Sequence, residues 1–504
     1  MKIRRIVIVM AVAMLAISGS RFFAQAQQPS VSPNPNAGVD QKIMAEIKDH
    51  NEIMPNLEYL SDMIGARLTG TENLTKASHW TEERFKAYGL SNAHLEKWSI
   101  EHGWHRGTAR ARIVSPVEQP MIIASAGWAP STAGTVRGTV VYVKAEKAED
   151  LESFRGKLKG AIVLTAEPRK LAPIYEPPAN PLLVPFREPY VLRNPNEAGQ
   201  PPAPAPNPAF FRQRYQFFKS EGVAAVLQDS SKEDALLNMT GIGGRNYEIG
   251  AVPVAFIASP NYQEIWRLMK RGPVQVEVEM KNSFSDQPVE VYNTVAEIRG
   301  SEKPDEVVIL GAHLDSWDLG TGTTDNGTGS MVVLETARAM EKLGLRPKRT
   351  IRFVLFSGEE QGLCGSRAYV NAHRDELPRI SGALIHDTGT GKVLSIGMMG
   401  NYQDREVMDQ VLQPLHEIGL LEPSMRVLTG SDHASFNEAG VPGFFGIQDP
   451  ADYNRTHHSQ SDTFDRARPD DLMEGAQVLA VWAYNVAQLQ DLLPRPPAKK
   501  TGGE

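Results

Sequence analysis

The segment HLDSWDLGTGTTDNGTGS, residues 313–330, carries one histidine, three aspartates and a spray of Gly, Thr and Asn directly after the apolar run VVILGA. Downstream, Glu359 and Glu360 follow TIRFVLFSG, Asp387 follows GALIH, and His458 lies in YNRTHHSQSDT. Imidazoles mixed with carboxylates form a nitrogen and oxygen donor set that suits Zn(II) or another first-row divalent ion better than calcium. His313, Asp325, Glu360, Asp387 and His458 are more ligands than one structural zinc takes. If Asp325 is shared by two ions, each ion keeps three protein ligands and an open position. That is the arrangement of a two-metal hydrolytic site, with ions about 3.5–4 Å apart.

Neighbouring residues leaving a strand point in different directions, so one carboxylate of the Glu-Glu pair can hold metal while the other faces the attacking water. Glu360 is assigned to metal and Glu359 to the general base. Water shared by two cations loses a proton readily, and a carboxylate within hydrogen-bond reach can take it and pass it to a leaving amine. Asp315, just after His313, is expected to orient that imidazole from behind. By chemistry alone His457 would serve as well as His458; the His-Ser-x-x-Asp spacing favours His458. Gly430-Ser431-Asp432-His433 is read two ways, as lining of a substrate pocket or as the cap of a helix. Cys364, the single cysteine, is read as a buried small residue rather than a nucleophile. Asn326-Gly327-Thr328 matches a glycosylation sequon, but a sugar there would block the metals.

Ligands of α/β sheets gather beyond the carboxyl ends of strands, where loops converge and helix N-termini expose free N–H groups. From Asn293 onward, NTVAEI, EVVILGA, TIRFVLFS, GALIHD and VPGFFGI alternate with helical stretches such as SMVVLETARAMEKLG. Strands apolar on both faces and separated by helices predict a doubly wound α/β domain, its sheet largely parallel with helices on both faces. The acidic and histidine residues fall at the ends of those strands, and Thr328-Gly329-Ser330 reads as the capping region of the next helix.

The same catalytic domain is expected in two parts, residues 40–107 and 286–492. The first opens with apolar residues at helical spacing (Ile43, Ile47, Ile53, Leu57, Leu60), followed by the loop GARLTGT. Between the parts, residues 108–285 read as an inserted β-rich domain with one or two helices, because short Val- and Ile-rich runs are separated by turns. Within it, residues 172–208 are too Pro-rich for a sheet interior or a helix. Residues 27–39 read as a disordered linker and 493–504 as a mobile tail.

The chain has 504 residues, 41% of them hydrophobic, enough for two or three domains. Its formal net charge of −7 and lack of clustered Lys and Arg argue against a nucleic-acid partner. Residues 1–26 read as a secretory signal peptide: Lys2, Arg4 and Arg5, an apolar core from Ile6 to Ile17, then Ala24-Gln25-Ala26 as the cleavage site. That core is shorter than the about 20 apolar residues of a membrane span, so a periplasmic or secreted protein, off the membrane once the signal is removed, is expected. One cysteine leaves no internal disulfide, so stability must come from burial or from bound metal.

HLDSWD, TDNGTGS, SGEEQG, HDTG and HHSQSDT, in that order, resemble the zinc exopeptidase family that includes bacterial leucyl aminopeptidase and glutamate carboxypeptidase, and most of all its carboxypeptidase Q members. The resemblance spans about residues 43–101 and 293–489, and the stretch between resembles the protease-associated domain inserted in many members. It implies one zinc on His313 and Asp387, a second on Glu360 and His458, Asp325 between them, Glu359 as base and a cis Asp325–Asn326 peptide. Asn326 itself departs from the family pattern. The implied activity is hydrolysis of dipeptides or short peptides, with an aminopeptidase and a non-catalytic receptor-like relative as competing readings. A peptide is the expected partner, and a homodimer is left open.

Overall fold

The apolar runs of the second half become the centre of a seven-stranded sheet. Its order is Ser91–Ile100, Val289–Ile298, Arg349–Phe356, Lys303–His313, Ile380–Ile385, Gly443–Gln448, Val393–Gly397. The computed structural model describes residues 35–170, 208–244 and 247–496. The expected signal peptide and all of the Pro-rich stretch but its last residue lie outside them.

The four inner strands, beginning at Arg349, Lys303, Ile380 and Gly443, are mutually parallel. The remaining neighbours are antiparallel. The sheet is therefore mixed, where a largely parallel one was expected. For strands Val289–Ile298 and Val393–Gly397 connection length is the cause: a parallel return takes about a dozen residues or more, and residues 299–302 and 386–392 are too few, so the chain must run back. Helices cover both faces as expected. Val308, Leu310 and Ala312 point into one apolar cluster with Val332 and Val333 of helix Thr328–Lys342 and with helix Pro469–Gln488. Val307 and Ile309 point into the other, with Tyr369, Val370 and Phe436. Alternate side chains of one strand are thus buried on opposite faces, which is why VVILGA is apolar throughout.

The first part of the chain packs against this sheet. Helix Ala37–His50 already begins inside the stretch expected to be a disordered linker, because Asp40, Ile43 and Ile47 are buried and Asn485 of the last long helix donates to the Asp40 carboxylate. At the other end Leu493, expected in the mobile tail, is buried, and its N–H donates to Ser381 Oγ at 3.2 Å.

The middle of the chain forms a second sheet of eight strands: Gln119–Met121, Trp104–Ser115, Gln275–Phe284, Val136–Tyr142, Ile162–Leu164, Ala225–Asp229, Val254–Ile257, Ile123–Ser125. Strand Trp104–Ser115 begins before the boundary expected at 108. One face holds Ile162, Leu164, Tyr262 and Ile265 in a cluster of its own. The other, through Val163, Val226, Phe218 and Trp128, is continuous with the main core. The described residues accordingly make one compact unit. No helix among the described residues is long and apolar enough to cross a membrane.

Asp404, just before helix Arg405–Leu412, is fully buried with one carboxylate oxygen lacking a hydrogen-bond partner. Burial pushes its carboxyl up to about 7, with the Asn401 amide pulling the other way. A raised carboxyl contributes stability that is full below its unfolded value near 3.8 and is lost as pH rises through about 7. Asp404→Asn is therefore expected to raise the melting temperature at pH 8 and to leave it nearly unchanged at pH 4. Thermal scans of both proteins across that range check this; equal shifts at the two pH values would contradict it.

Candidate metal centre

Parallel inner strands bring their carboxyl ends to one edge, and each residue of the set is delivered there. His313 ends strand Lys303–His313, Glu359 and Glu360 follow Arg349–Phe356, and Asp387 follows Ile380–Ile385. Asp325 lies in the turn Thr323–Gly327, whose Asp325–Asn326 peptide is cis, and His458 follows the short helix Tyr453–Thr456 with a left-handed backbone, φ 57°.

His313 Nε2 is 3.1 Å from Asp387 Oδ1 and 3.4 Å from Asp325 Oδ1. The other oxygen of that same carboxylate, Asp325 Oδ2, is 3.5 Å from His458 Nε2, which is 2.9 Å from Glu360 Oε2. One carboxylate thus faces two donor sets, one through each oxygen. His457 stacks on His458 with ring centroids 3.7 Å apart, and its Nε2 is 3.9 Å from Asp325 Oδ2. Both imidazoles are within reach of that oxygen; the contact with Glu360 distinguishes His458.

The chemistry of this donor set fits divalent cations. Asp325 Oδ2 and Glu360 Oε1 are buried without a hydrogen-bond partner, a costly state that a cation would relieve. Burial, joined by Asp387, Asp432 and Glu360, holds the Glu359 carboxyl well above its usual range against the pull of His313. Burial and the charge of Asp325 do the same to Glu360. Burial would lower His313, but Asp387, Asp315 and Asp325 outweigh it and raise the imidazole well above 6.5. Burial would likewise raise Asp325, yet His313, His457 and His458 keep it low. So many carboxylates in one dry place must collect protons or cations.

The surrounding shell departs from expectation in detail. His313 Nδ1 lies 3.0 Å from the Asp315 carbonyl oxygen and 3.6 Å from its carboxylate, so the carbonyl is the nearer of the two Asp315 groups that face the imidazole. That carboxylate also accepts from Thr69 Oγ1 and from the Glu359 and Glu360 N–H groups, at 3.0, 3.2 and 3.4 Å, which shapes the Glu-Glu turn. Helix Thr328–Lys342 has no side-chain cap at Thr328-Gly329-Ser330; Asn326 Oδ1 accepts from Gly329 N at 3.0 Å. Asn326 is fully buried and also donates to the His386 carbonyl, a packing that leaves a sugar no room. Cys364, expected to be buried, is half-buried at the start of its helix.

The sequence reading gave Asp462 and Arg67 no role of their own and left that of Asp432 open. Asp462 accepts from Thr324 N and Asp325 N at 2.6 and 3.2 Å, holding the turn that carries Asp325. Asp432 occupies the helix cap position without a capping hydrogen bond, and its carboxyl is pushed up to about 7 by burial, with Asp387 and Asp315 adding to it. Arg67, in the GARLTGT loop, is completely buried. Its guanidinium donates to the carbonyls of Leu314, Thr321 and Gly322 at 2.6, 2.9 and 2.6 Å, and the Arg67 backbone N–H donates to Ser316 Oγ. Arg67→Leu would leave those carbonyls unpaired and is expected to destabilise the fold by about 3–5 kcal/mol. Chemical denaturation checks this; a loss under about 1 kcal/mol would show that water replaces the guanidinium at little cost.

Glu359, Asp387, Gly430, Ser431, His433 and Tyr453 are among the residues lining a cleft of about 1300 Å³ over the centre, so the lining half of the two-way reading describes Gly430, Ser431 and His433.

Residues 293–483, which include the whole candidate ligand set, match the family model for peptidase family M28. Carboxypeptidase Q of Bos taurus is 30% identical over 452 residues, covering 89% of this chain and 88% of that protein. The chain belongs to peptidase family M28. As an M28 peptidase it has the fold of a solved M28 precursor from Shewanella amazonensis SB2B, which is 26% identical with a TM-score of 0.74, covering 92% of this chain and 99% of the other. The fold is also that of a zinc aminopeptidase from Bacillus subtilis, 18% identical with a TM-score of 0.60, covering 86% and 93%.

Proposed function

We propose that this M28 peptidase is an exported dizinc exopeptidase that removes single residues from dipeptides or short peptides. The observation that carries the reading is the Asp325 carboxylate, with Oδ1 toward His313 and Asp387 and Oδ2 toward His458 and Glu360. His313 and Asp387 would hold one zinc, His458 and Glu360 the other, and Asp325 both. Bound there, the two ions supply Lewis acidity to the scissile carbonyl and lower the pKa of water. Glu359, on the cleft wall and raised by burial, takes the proton of the attacking water and returns it to the leaving amine. Export rests on the signal-like residues 1–26.

Arg367, which pairs with Glu438 at 2.6 Å, and Arg426 lie on the cleft wall and support capture of a free peptide carboxylate, as in a carboxypeptidase or dipeptidase; capture of a free amine by carboxylates of the cleft, as in an aminopeptidase, is the second reading. Peptides with both ends free, or with one end blocked by acetylation or amidation, separate the two. The carboxypeptidase reading expects loss of cleavage on amidation and tolerance of acetylation, and the aminopeptidase reading expects the reverse. No cleavage of any of them by zinc-loaded protein would favour a receptor-like member.

A further inference from the structure

The second-sheet region reaches the metal centre through the segment that follows His313. Strand Trp104–Ser115 sends Arg106 to Asp318 in a half-buried ion pair, at 2.6 and 2.9 Å. Asp318 follows Trp317, and Trp317 is 4% exposed. The indole stands edge-on to the His458 imidazole, ring centroids 6.0 Å apart. Its other side rests on two glycines of the second-sheet region, Gly127 and Gly241, which pair with each other as a single parallel bridge. A Cβ on Gly127 would stand 2.6 Å from Trp317 Cζ3, and one on Gly241 3.4 Å from Cη2, so glycine at Gly127 is required by the ring. From the same region Met239 N–H donates to the His458 carbonyl at 2.8 Å, and Leu237 N–H to Gln460 Oε1 at 2.9 Å. His458 is thereby held from its backbone and from its ring, in a left-handed conformation that is uncommon for a residue other than glycine.

His313 and Asp387, by contrast, sit on or beside rigid inner strands. We propose that Trp317, wedged between the Gly127–Gly241 bridge and the His458 ring, is a positioning residue for the His458–Glu360 half of the centre, and that the second sheet acts on the metals through it. This rests on the dizinc reading above. Removing the indole frees His458 to rotate and weakens one cation while leaving the other held.

The test is a zinc titration of the metal-stripped full chain against a competing chelator, with His458→Ala as the reference for loss of that half. Wild type is expected to take up two equivalents. Trp317→Leu is expected to bind one equivalent as wild type does and the other about 10–100-fold more weakly, the usual effect of removing a residue that orients a ligand. Trp317→Phe, which keeps an aromatic edge, should recover most of that loss. Gly127→Ala pushes the ring without deleting it, and should show the same split if the leucine variant does not fold. Unchanged affinities in Trp317→Leu and Gly127→Ala would overturn the inference and leave the dizinc reading standing, as would equal weakening of both equivalents. Fewer than two equivalents in wild type would overturn the dizinc reading and the inference with it.

Discussion

Glu359→Gln is expected to bind zinc as the parent does and to hydrolyse peptides about 10²–10⁴-fold more slowly, the usual contribution of a positioned general base. The amide keeps the size of the carboxylate and its place on the cleft wall, but it cannot accept the proton of the attacking water. Since Glu359 N–H, not its side chain, meets Asp315 at 3.2 Å, the turn that carries Glu360 should survive the change. Steady-state kinetics should show the loss in kcat with KM little altered, because substrate binding does not need the base. Turnover within a factor of a few of the parent would remove Glu359 from the reaction.

Asp325→Ala is expected to have the larger effect on metal. Its two oxygens face His313 and Asp387 on one side and His458 and Glu360 on the other, so the change takes one ligand from each cation at once. The turn itself should hold, because the Thr324 and Asp325 N–H groups remain tied to Asp462. Elemental analysis should find well under two zinc ions per chain after dialysis, and activity should fall by more than the Glu359→Gln loss. A variant that keeps two tightly held ions would show that Asp325 is not shared.

The candidate site was largely legible in the sequence because its donors follow apolar runs that can only be buried strands, and strand ends are where such sheets place ligands. His313, Glu360 and Asp387 each stand within a few residues of such a run, so local pattern sufficed to bring them to one edge. Arg67 was not legible. Its partners are main-chain carbonyls more than two hundred residues away, at Leu314, Thr321 and Gly322, and no side-chain type at those positions marks the contact. The Asp315 backbone was not legible for a related reason: the spacing from His313 marks an orienting carboxylate, which lies 3.6 Å from Nδ1, but nothing in the side-chain pattern marks the carbonyl oxygen at 3.0 Å. Strand direction was hidden as well, since apolar alternation is the same up or down a sheet. The short connections at residues 299–302 and 386–392 were the available signal for the antiparallel neighbours. The linker expected at residues 27–39 failed at its end because polarity was read without the Asp40 carboxylate that Asn485 satisfies.

The account turns on two cations sharing Asp325, and crystallographic anomalous scattering measured on both sides of the zinc absorption edge tests it most directly. The predicted result is two zinc peaks about 3.5–4 Å apart, one against His313 and Asp387, one against His458 and Glu360, with an Asp325 oxygen on each. A single peak in zinc-saturated crystals, or a second one held by other residues, would contradict it.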